Sequence, residues 1–293
     1  MLSPNLSGHV DLHTHTNESD GSLTPAELIQ LATAVGLDGL AITDHDTFDG
    51  FEKALPLAQE AGLALLCGIE LNTRLLNPDH EEHTRNLHLL AYFPSGQPGG
   101  PIHRRLEQER SDRRERNMQL VLALQRQGID IRLEEVEARG RSLTGRPHFA
   151  RILVEKGYAR NQEDAFHRFL GEQAPTYVER QSHSSEEAIE IVRASGGIPV
   201  IAHPIRLMLS ADTEKRVLAR LKEAGLLGLE VHHSDQSADA QAHYASLAAE
   251  FELIPTGGSD FHGAAKPNVT LGTGLRDNVR VPRAVLDRLF AHK

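Results

Sequence analysis

At 293 residues with 39% apolar side chains, the chain can bury a substantial core, as one α/β barrel or two modest domains. A net charge of −10, from 41 acidic against 31 basic residues, argues against a broad electrostatic footprint on DNA, and 4% aromatics without tryptophan argue against a base-stacking platform. The longest apolar stretch, Leu63 to Ile69, falls well short of the ~18 residues of a membrane span, and its Cys67 is the single cysteine, with no partner for an internal disulfide. The first ten residues carry no Lys or Arg and no apolar h-region, so no signal peptide of the usual kind is expected and the expected location is cytoplasmic. A site that gathers cations would reverse the charge locally, so the acidic balance leaves a phosphate substrate open.

Residues His9 to Thr16 alternate and read as the first strand. Side chains at i and i+2 leave the same face of a strand, so His13 and His15 project together with Asp11 beneath them. Thr24-Pro25-Ala26-Glu27 is a capping-box pattern with proline at the first helical position, followed by the apolar face of Leu28, Leu31, Ala32 and Val35. Gly36 ends that helix, and Gly39 to Thr43 is a buried strand running into Asp44-His45-Asp46. A helix over about 51–61 leads to the strand Leu63 to Leu71, which carries Glu70. This rhythm marks βαβ units and a parallel sheet. Residues 72–87 read as a polar insertion before the strand 87–92, which carries His88, and 94–101 reads as a Pro/Gly linker.

From His103 to about Gly171 the strand rhythm is absent. A long helix is expected over 104–127, with shorter ones near 133–138, 147–156 and 162–170. These form a helical cap, residues 101–174, inserted into a barrel made of 1–100 and 175–293. Arg104, Arg105, Arg110, Arg113, Arg114 and Arg116 alternate with Glu107, Glu109, Asp112 and Glu115 at i,i+3 and i,i+4 spacing, which favours a solvated helix face over a polyphosphate-binding stripe. The βα rhythm resumes with helix 185–194, strand 198–202 ending in His203-Pro204, helix 213–224, strand 226–231 ending in His232-His233, helix 238–250, and strand 253–256 running into Gly257-Gly258-Ser259-Asp260-Phe261-His262. The count is seven strands, with polar clusters at their carboxyl ends, where functional groups of α/β barrels sit. One such histidine reads best as packing; their recurrence at strand ends does not.

As a set, Asp-Leu-His-Thr-His-Thr at 11–16, Ser-Asp-Gly at 19–21, Thr-Asp-His-Asp at 43–46, Gly-Ile-Glu at 68–70, Ala-His-Pro at 202–204 and Gly-Ser-Asp-Phe-His at 258–262 resemble the PHP (polymerase and histidinol phosphatase) family of phosphoesterases, in the family's order. Within it, residues 145–151 and 175–178 resemble the members that hydrolyse nucleoside 3',5'-bisphosphates and trim RNA from the 5' end. The resemblance implies a distorted seven-stranded (β/α) barrel with a helical cap and two or three divalent metal ions. It implies that His13, His15, Glu70 and Asp260 hold the first, that Glu70 bridges to a second completed by His88 and His203, and that Asp20, His45 and His262 hold the third. His83, in the polar insertion, is the alternative to His88. Imidazole and carboxylate donors without thiolate favour Mn or Fe, with Zn as a third option.

The function expected is hydrolysis of a nucleotide phosphate ester, on a nucleoside 3',5'-bisphosphate or the 5' end of a short RNA, with no stable DNA partner and no membrane. Glu70 is the central catalytic residue. His233 and a metal-bound water are the two options for the acid at the leaving oxygen, and Asp11, Asp44 and Asp46 are expected to orient ligand imidazoles. Arg146, His148 and Arg206 are candidates for gripping the non-reacting phosphate. The rival readings are a phosphatase of another small monoester, such as histidinol phosphate, and a noncatalytic accessory module.

Overall fold

The computed structural model describes residues 6–76, 84–96, 98–140, 144–171, 173–178 and 183–292. In chain order the elements are β1 (His9–Asp11), α1 (Pro25–Ala34), β2 (Gly39–Ile42), α2 (Asp49–Ala61), β3 (Ala64–Leu76), β4 (Thr84–Phe93), α3 (Gly100–Arg126), α4 (Leu133–Gly140), α5 (Arg146–Glu155) and α6 (Gln162–Ala165), which runs on as a π-helical turn. They continue with α7 (Ser185–Ala194), β5 (Ile198–Ile201), α8 (Ala211–Glu223), β6 (Gly228–His233), α9 (Ala238–Glu250), β7 (Ile254–Gly258), the short strands β8 (Val269–Thr270), β9 (Gly274–Leu275) and β10 (Val281–Pro282), and α10 (Arg283–Ala291). The chain divides into two compact units, Met1–His103 with His183–Lys293, and Arg104–Ser182.

The helix starts follow from local chemistry. Thr24 and Glu27 form the expected capping box at α1, and Ser184 with Glu187 forms another at α7, so orphan amides at both N-termini are satisfied by side chains next to them in sequence. Strands β2 and β5 are buried at every position, as strands covered on both faces should be.

The first unit is built on a sheet of order β10-β1-β2-β3-β4-β5-β6-β7. The seven expected strands are all present. The sheet closes on itself where Leu12 N donates to Gly257 O (3.3 Å) and Thr14 bridges Phe261 in parallel. Two features depart from the expectation. β10 adds an eighth, antiparallel strand beside β1, and β4 runs antiparallel to both β3 and β5. Residues 72–76 and 84–86, expected as parts of a polar insertion, extend β3 and β4 into a long hairpin paired from Cys67/Phe93 to Leu76/Thr84. The intervening residues, 77–83, are too few for the dozen or more that a parallel crossover requires, so the second strand has to reverse.

The second unit has its own core, in which Leu120 and Leu124 of α3 pack with Phe149, Ile152 and Leu153 of α5 and with Leu170. Its span, Arg104–Ser182, starts and ends slightly later than the expected 101–174. Among the described residues, no helix is long and apolar enough to cross a membrane.

Candidate metal centre

Past its last paired residue, β1 continues as a strand-like segment rather than as the regular strand to Thr16. Thr43 N donates to Thr14 O (2.9 Å), Glu70 N to Asp44 O (3.2 Å), and Asp260 N to His13 O (2.9 Å), so the motif segments after β1, β2 and β7 lie side by side with Glu70 of β3. Gly258 permits the closest approach, since a Cβ there would stand 2.3 Å from His13 N. Asp46, His203 and Asp260 take positive φ values of 50°, 28° and 57°. For residues other than glycine such conformations cost ~1–3 kcal/mol each and persist where surrounding contacts enforce them.

These segments surround Glu70, which is almost fully buried. Its Oε2 lies 3.2 Å from His13 Nε2 and 3.1 Å from His15 Nε2, which stand 3.6 and 3.5 Å from Asp260 Oδ1. Its Oε1 lies 2.8 Å from His88 Nδ1 and 3.0 Å from His203 Nε2. A further set surrounds Asp20, whose Oδ1 is 3.4 Å from His15 Nδ1 and 3.3 Å from His262 Nε2, and whose Oδ2 is 3.7 Å from His45 Nε2. Donors bound to one cation at ~2.0–2.2 Å stand ~3–3.5 Å apart, so these spacings fit divalent metals. The nitrogens support the same fit. Neither ring nitrogen of His15, nor Nδ1 of His45, makes a well-formed hydrogen bond among the described residues, although all three atoms are buried.

The electrostatics suit cations. Burial alone would raise Glu70 and Asp260, but the imidazoles of His45, His13 and His88 around the first, and of His13, His233 and His15 with Lys266 around the second, hold both carboxyls well below their ordinary range. Burial, with the nearby His262, pushes His15 down to about 3. Burial likewise pushes His203 down to about 4 against the opposing pull of Glu70. At neutral pH Glu70 and Asp260 are thus anionic and His15 and His203 neutral, the forms that coordinate metal, whereas His13 and His88 are raised, against burial, by Glu230 and Glu70 around the first and by Glu70 around the second, so a cation there displaces protons.

All nine expected ligands, His13, His15, Asp20, His45, Glu70, His88, His203, Asp260 and His262, fall within these sets. His88 is in β4 and faces Glu70; the alternative, His83, lies outside the described residues. His233 is fully buried, with Nε2 3.3 Å from Asp260 Oδ2 and Nδ1 accepting from Asp235 N (3.0 Å). Arg206 reaches the same carboxylate, donating from its terminal nitrogen to Asp260 Oδ2 (3.0 Å) and from Nε to Asp235 Oδ2 (2.7 Å). Arg146 and His148 belong to the second unit. There Arg146 donates to Leu170 O (3.2 Å) and lies over the Tyr177 ring, and His148 Nδ1 accepts from Gly145 N at the start of α5.

The expected roles of Asp11 and Asp44 need correction. Asp11 accepts from the amides of His13, Ser259 and Gly272 and from the Ser259 hydroxyl, and Asp44 accepts from Thr16 and Ser19. They fix the backbone that carries the ligands, because they sit beneath the imidazoles, at the level of the strand-end amides. Asp46 likewise accepts from Asn72 N and Nδ2. The carboxylate placed to orient a candidate ligand is Glu230, whose Oε1 lies 2.9 Å from His13 Nδ1, and Lys266 adds a cation to the site, its Nζ donating to Asp260 Oδ2 (2.6 Å). The Glu230-Val231-His232-His233 run was a signal for the former, since it places an acid inside a strand that ends in histidines. Lys266 had none.

With a nearly closed α/β barrel and mixed imidazole and carboxylate clusters at its strand ends, the chain matches the PHP domain family over residues 11–190 and belongs to that family. It is 35% identical over 280 residues to the 5'-3' exoribonuclease Rnm of Escherichia coli strain K12, covering 94% of this chain and 92% of that protein. It is 31% identical over 266 residues to the 3',5'-nucleoside bisphosphate phosphatase of Chromobacterium violaceum, covering 90% of each. A crystal structure from Bifidobacterium adolescentis assigned as a metal-dependent phosphoesterase superposes with a TM-score of 0.75 at 32% identity, covering 96% of this chain and 95% of that one. The chain is accordingly a hydrolase of phosphoric ester bonds, and a metal-dependent one.

Proposed function

We propose that the chain hydrolyses the phosphate ester of a nucleotide, either a nucleoside 3',5'-bisphosphate or the 5' end of a short RNA. The observation that carries the reading is Glu70, whose two carboxylate oxygens each face a separate set of imidazoles. In this reading His13, His15, Glu70 and Asp260 hold one cation, Glu70, His88 and His203 a second, and Asp20, His45 and His262 a third. Such cations lower the pKa of water and neutralise charge developing on phosphoryl oxygens. Mn or Fe is proposed for these imidazole and carboxylate donors, which Zn also accepts; the one thiol, Cys67, is buried in β3 and raised far above its ordinary range by burial and by Glu52.

The chain's own residues supply orientation. Asp260 gives Oδ1 to the first donor set, while Oδ2 is held by Arg206, Lys266 and His233. Arg206, partly exposed beside the clusters, is the cation assigned to the non-reacting phosphate, and its planar fork suits an anion with several oxygens. Arg146 and His148 are proposed as further phosphate contacts. His233, with Nε2 on Asp260, is proposed to serve the leaving oxygen. A nucleotide substrate and a single reduced cysteine fit a cytoplasmic place of action.

The relatives' names support the nucleotide class, since one acts on RNA ends and the other on a bisphosphate. The test is hydrolysis of adenosine 3',5'-bisphosphate, a short 5'-phosphorylated RNA and histidinol phosphate by equal amounts of Mn-loaded enzyme. Faster turnover of either nucleotide substrate supports the reading; preference for histidinol phosphate would replace it with a small-monoester phosphatase.

A further inference from the structure

Glu230 lies within β6 with its side chain fully buried. A buried carboxylate is costly unless its oxygens are satisfied, and here each oxygen meets a different histidine of the metal centre. Oε1 is 2.9 Å from His13 Nδ1, and Oε2 accepts the His203 backbone N–H at 2.6 Å. Oε1 thereby sets a tautomer. A carboxylate at Nδ1 holds a proton there, which leaves Nε2, the atom facing Glu70 Oε2 and Asp260 Oδ1, as the nitrogen that can exchange its proton for a cation. Oε2 sets a backbone. His203 takes φ 28° and ψ 60°, a sparsely populated conformation, and its ring Nε2 faces Glu70 Oε1 at 3.0 Å.

The strand is shaped to deliver this carboxylate. β6 slips register against β7 between Glu230 and His232, and Gln236 Nε2 donates to the Glu230 carbonyl at 3.2 Å. β-Bulges of this kind re-aim side chains next to functional sites. No hydrogen bond of the Glu230 carboxylate reaches Asp20, His45 or His262 among the described residues.

We propose that Glu230 is a positioning residue that couples the first two metal sites, setting the His13 tautomer with one oxygen and the His203 backbone with the other. The inference rests on the assignment of His13 and His203 as ligands. It says that one buried side chain tunes two cations at once and leaves the third set untouched. Glu230→Gln is the discriminating change. It keeps shape and volume, but the amide has a single acceptor oxygen, which can serve His13 or His203 and not both.

The experiment is Mn(II) titration of the full-length, chelator-stripped chain, followed by loss of the free-ion EPR signal. It compares wild type with Glu230→Gln, Glu230→Asp, Glu70→Gln and Asp20→Asn. Glu70→Gln and Asp20→Asn define which binding equivalents belong to which donor sets. Glu230→Gln is expected to weaken the Glu70-dependent equivalents by ~10–100-fold while leaving the Asp20-dependent one unchanged. Should Glu230→Gln fail to fold, Glu230→Asp decides, with a smaller selective weakening of the same equivalents. A folded variant with wild-type Mn(II) affinity would overturn the proposal, as would equal weakening of all equivalents. If Glu70→Gln itself leaves binding unchanged, the ligand assignment fails, and the coupling fails with it.

Discussion

The two compact units differ in where they gather buried charge, although the second unit also buries an ion pair, Arg105 with Glu109 (2.7 Å) in α3. In the barrel unit Asp11, His13, Glu70 and Glu230 are at most 1% exposed and bond to strand-end amides and to one another. In the second unit Arg114 pairs with Glu137 (2.9 Å) and Lys156 with Glu135 (2.7 Å), with every partner at least 30% exposed. Exposed pairs of the second kind are screened by water and contribute ~0–1 kcal/mol each. Buried charges of the first kind are costly unless mutually compensated; the Arg105–Glu109 pair meets that cost within one helix, whereas the barrel unit gathers several carboxylates and imidazoles at its strand ends, the pattern that marks chemistry.

The contrast can be broken most severely at Glu70. Glu70→Ala is expected to lower hydrolysis by ~1,000-fold or more, because on the proposed assignment it removes the shared donor of two cation sites, while circular dichroism still reports the wild-type fold. Retention of most Mn-supported activity would show that the buried charges are structural. Next in size is Gly258→Ala, which drives a methyl into the His13 backbone. Loss of ~1–3 kcal/mol is expected in denaturant unfolding, by overpacking; an unchanged midpoint would mean that the strand-end segments can part freely.

In the second unit the expected effects are smaller. His148 is held below the ordinary imidazole range, first by burial and then by Arg151 and Arg113, and its Nδ1 caps Gly145 N. A folded value below the unfolded one means that the unfolded chain takes up the proton first. The stability contributed is thus present above the ordinary imidazole value and lost as pH falls below it. Hydrogen exchange at residues 145–155, corrected for intrinsic rates, should quicken several-fold from about pH 7.5 to about pH 5.5, and His148→Asn should flatten that dependence. Arg114→Ala should shift stability by less than ~0.5 kcal/mol in the same unfolding assay, and a larger loss would mean that its ion pair with Glu137 is not simply solvated.

What was legible in the sequence follows the same division. His13, His15, His45, His203, Asp260 and His262 could be read because each follows an apolar strand run, and strand ends converge in a barrel whatever the loops do. The helix starts at Pro25 and Ser185 were written in adjacent residues, as capping boxes. The direction of β4 was hidden because residues 72–74 and 84–86 are polar and so look like a loop, although the extension buries Thr73 and Leu75. Which carboxylate orients a ligand was hidden for a different reason. Asp11 and Glu230 are both acids near histidines, and only the three-dimensional course of β6 and β7 places Glu230 at an imidazole and Asp11 at three backbone amides. Lys266 reaches Asp260 from the turn that follows the last motif, a contact set by loop geometry.

The most direct test is an anomalous difference map from Mn-soaked crystals, collected at the manganese edge. The account predicts one peak on each side of the Glu70 carboxylate, the first among His13, His15 and Asp260, the second between His88 and His203, with a third peak by Asp20, His45 and His262. A single peak away from Glu70, or none at full Mn loading, would contradict it.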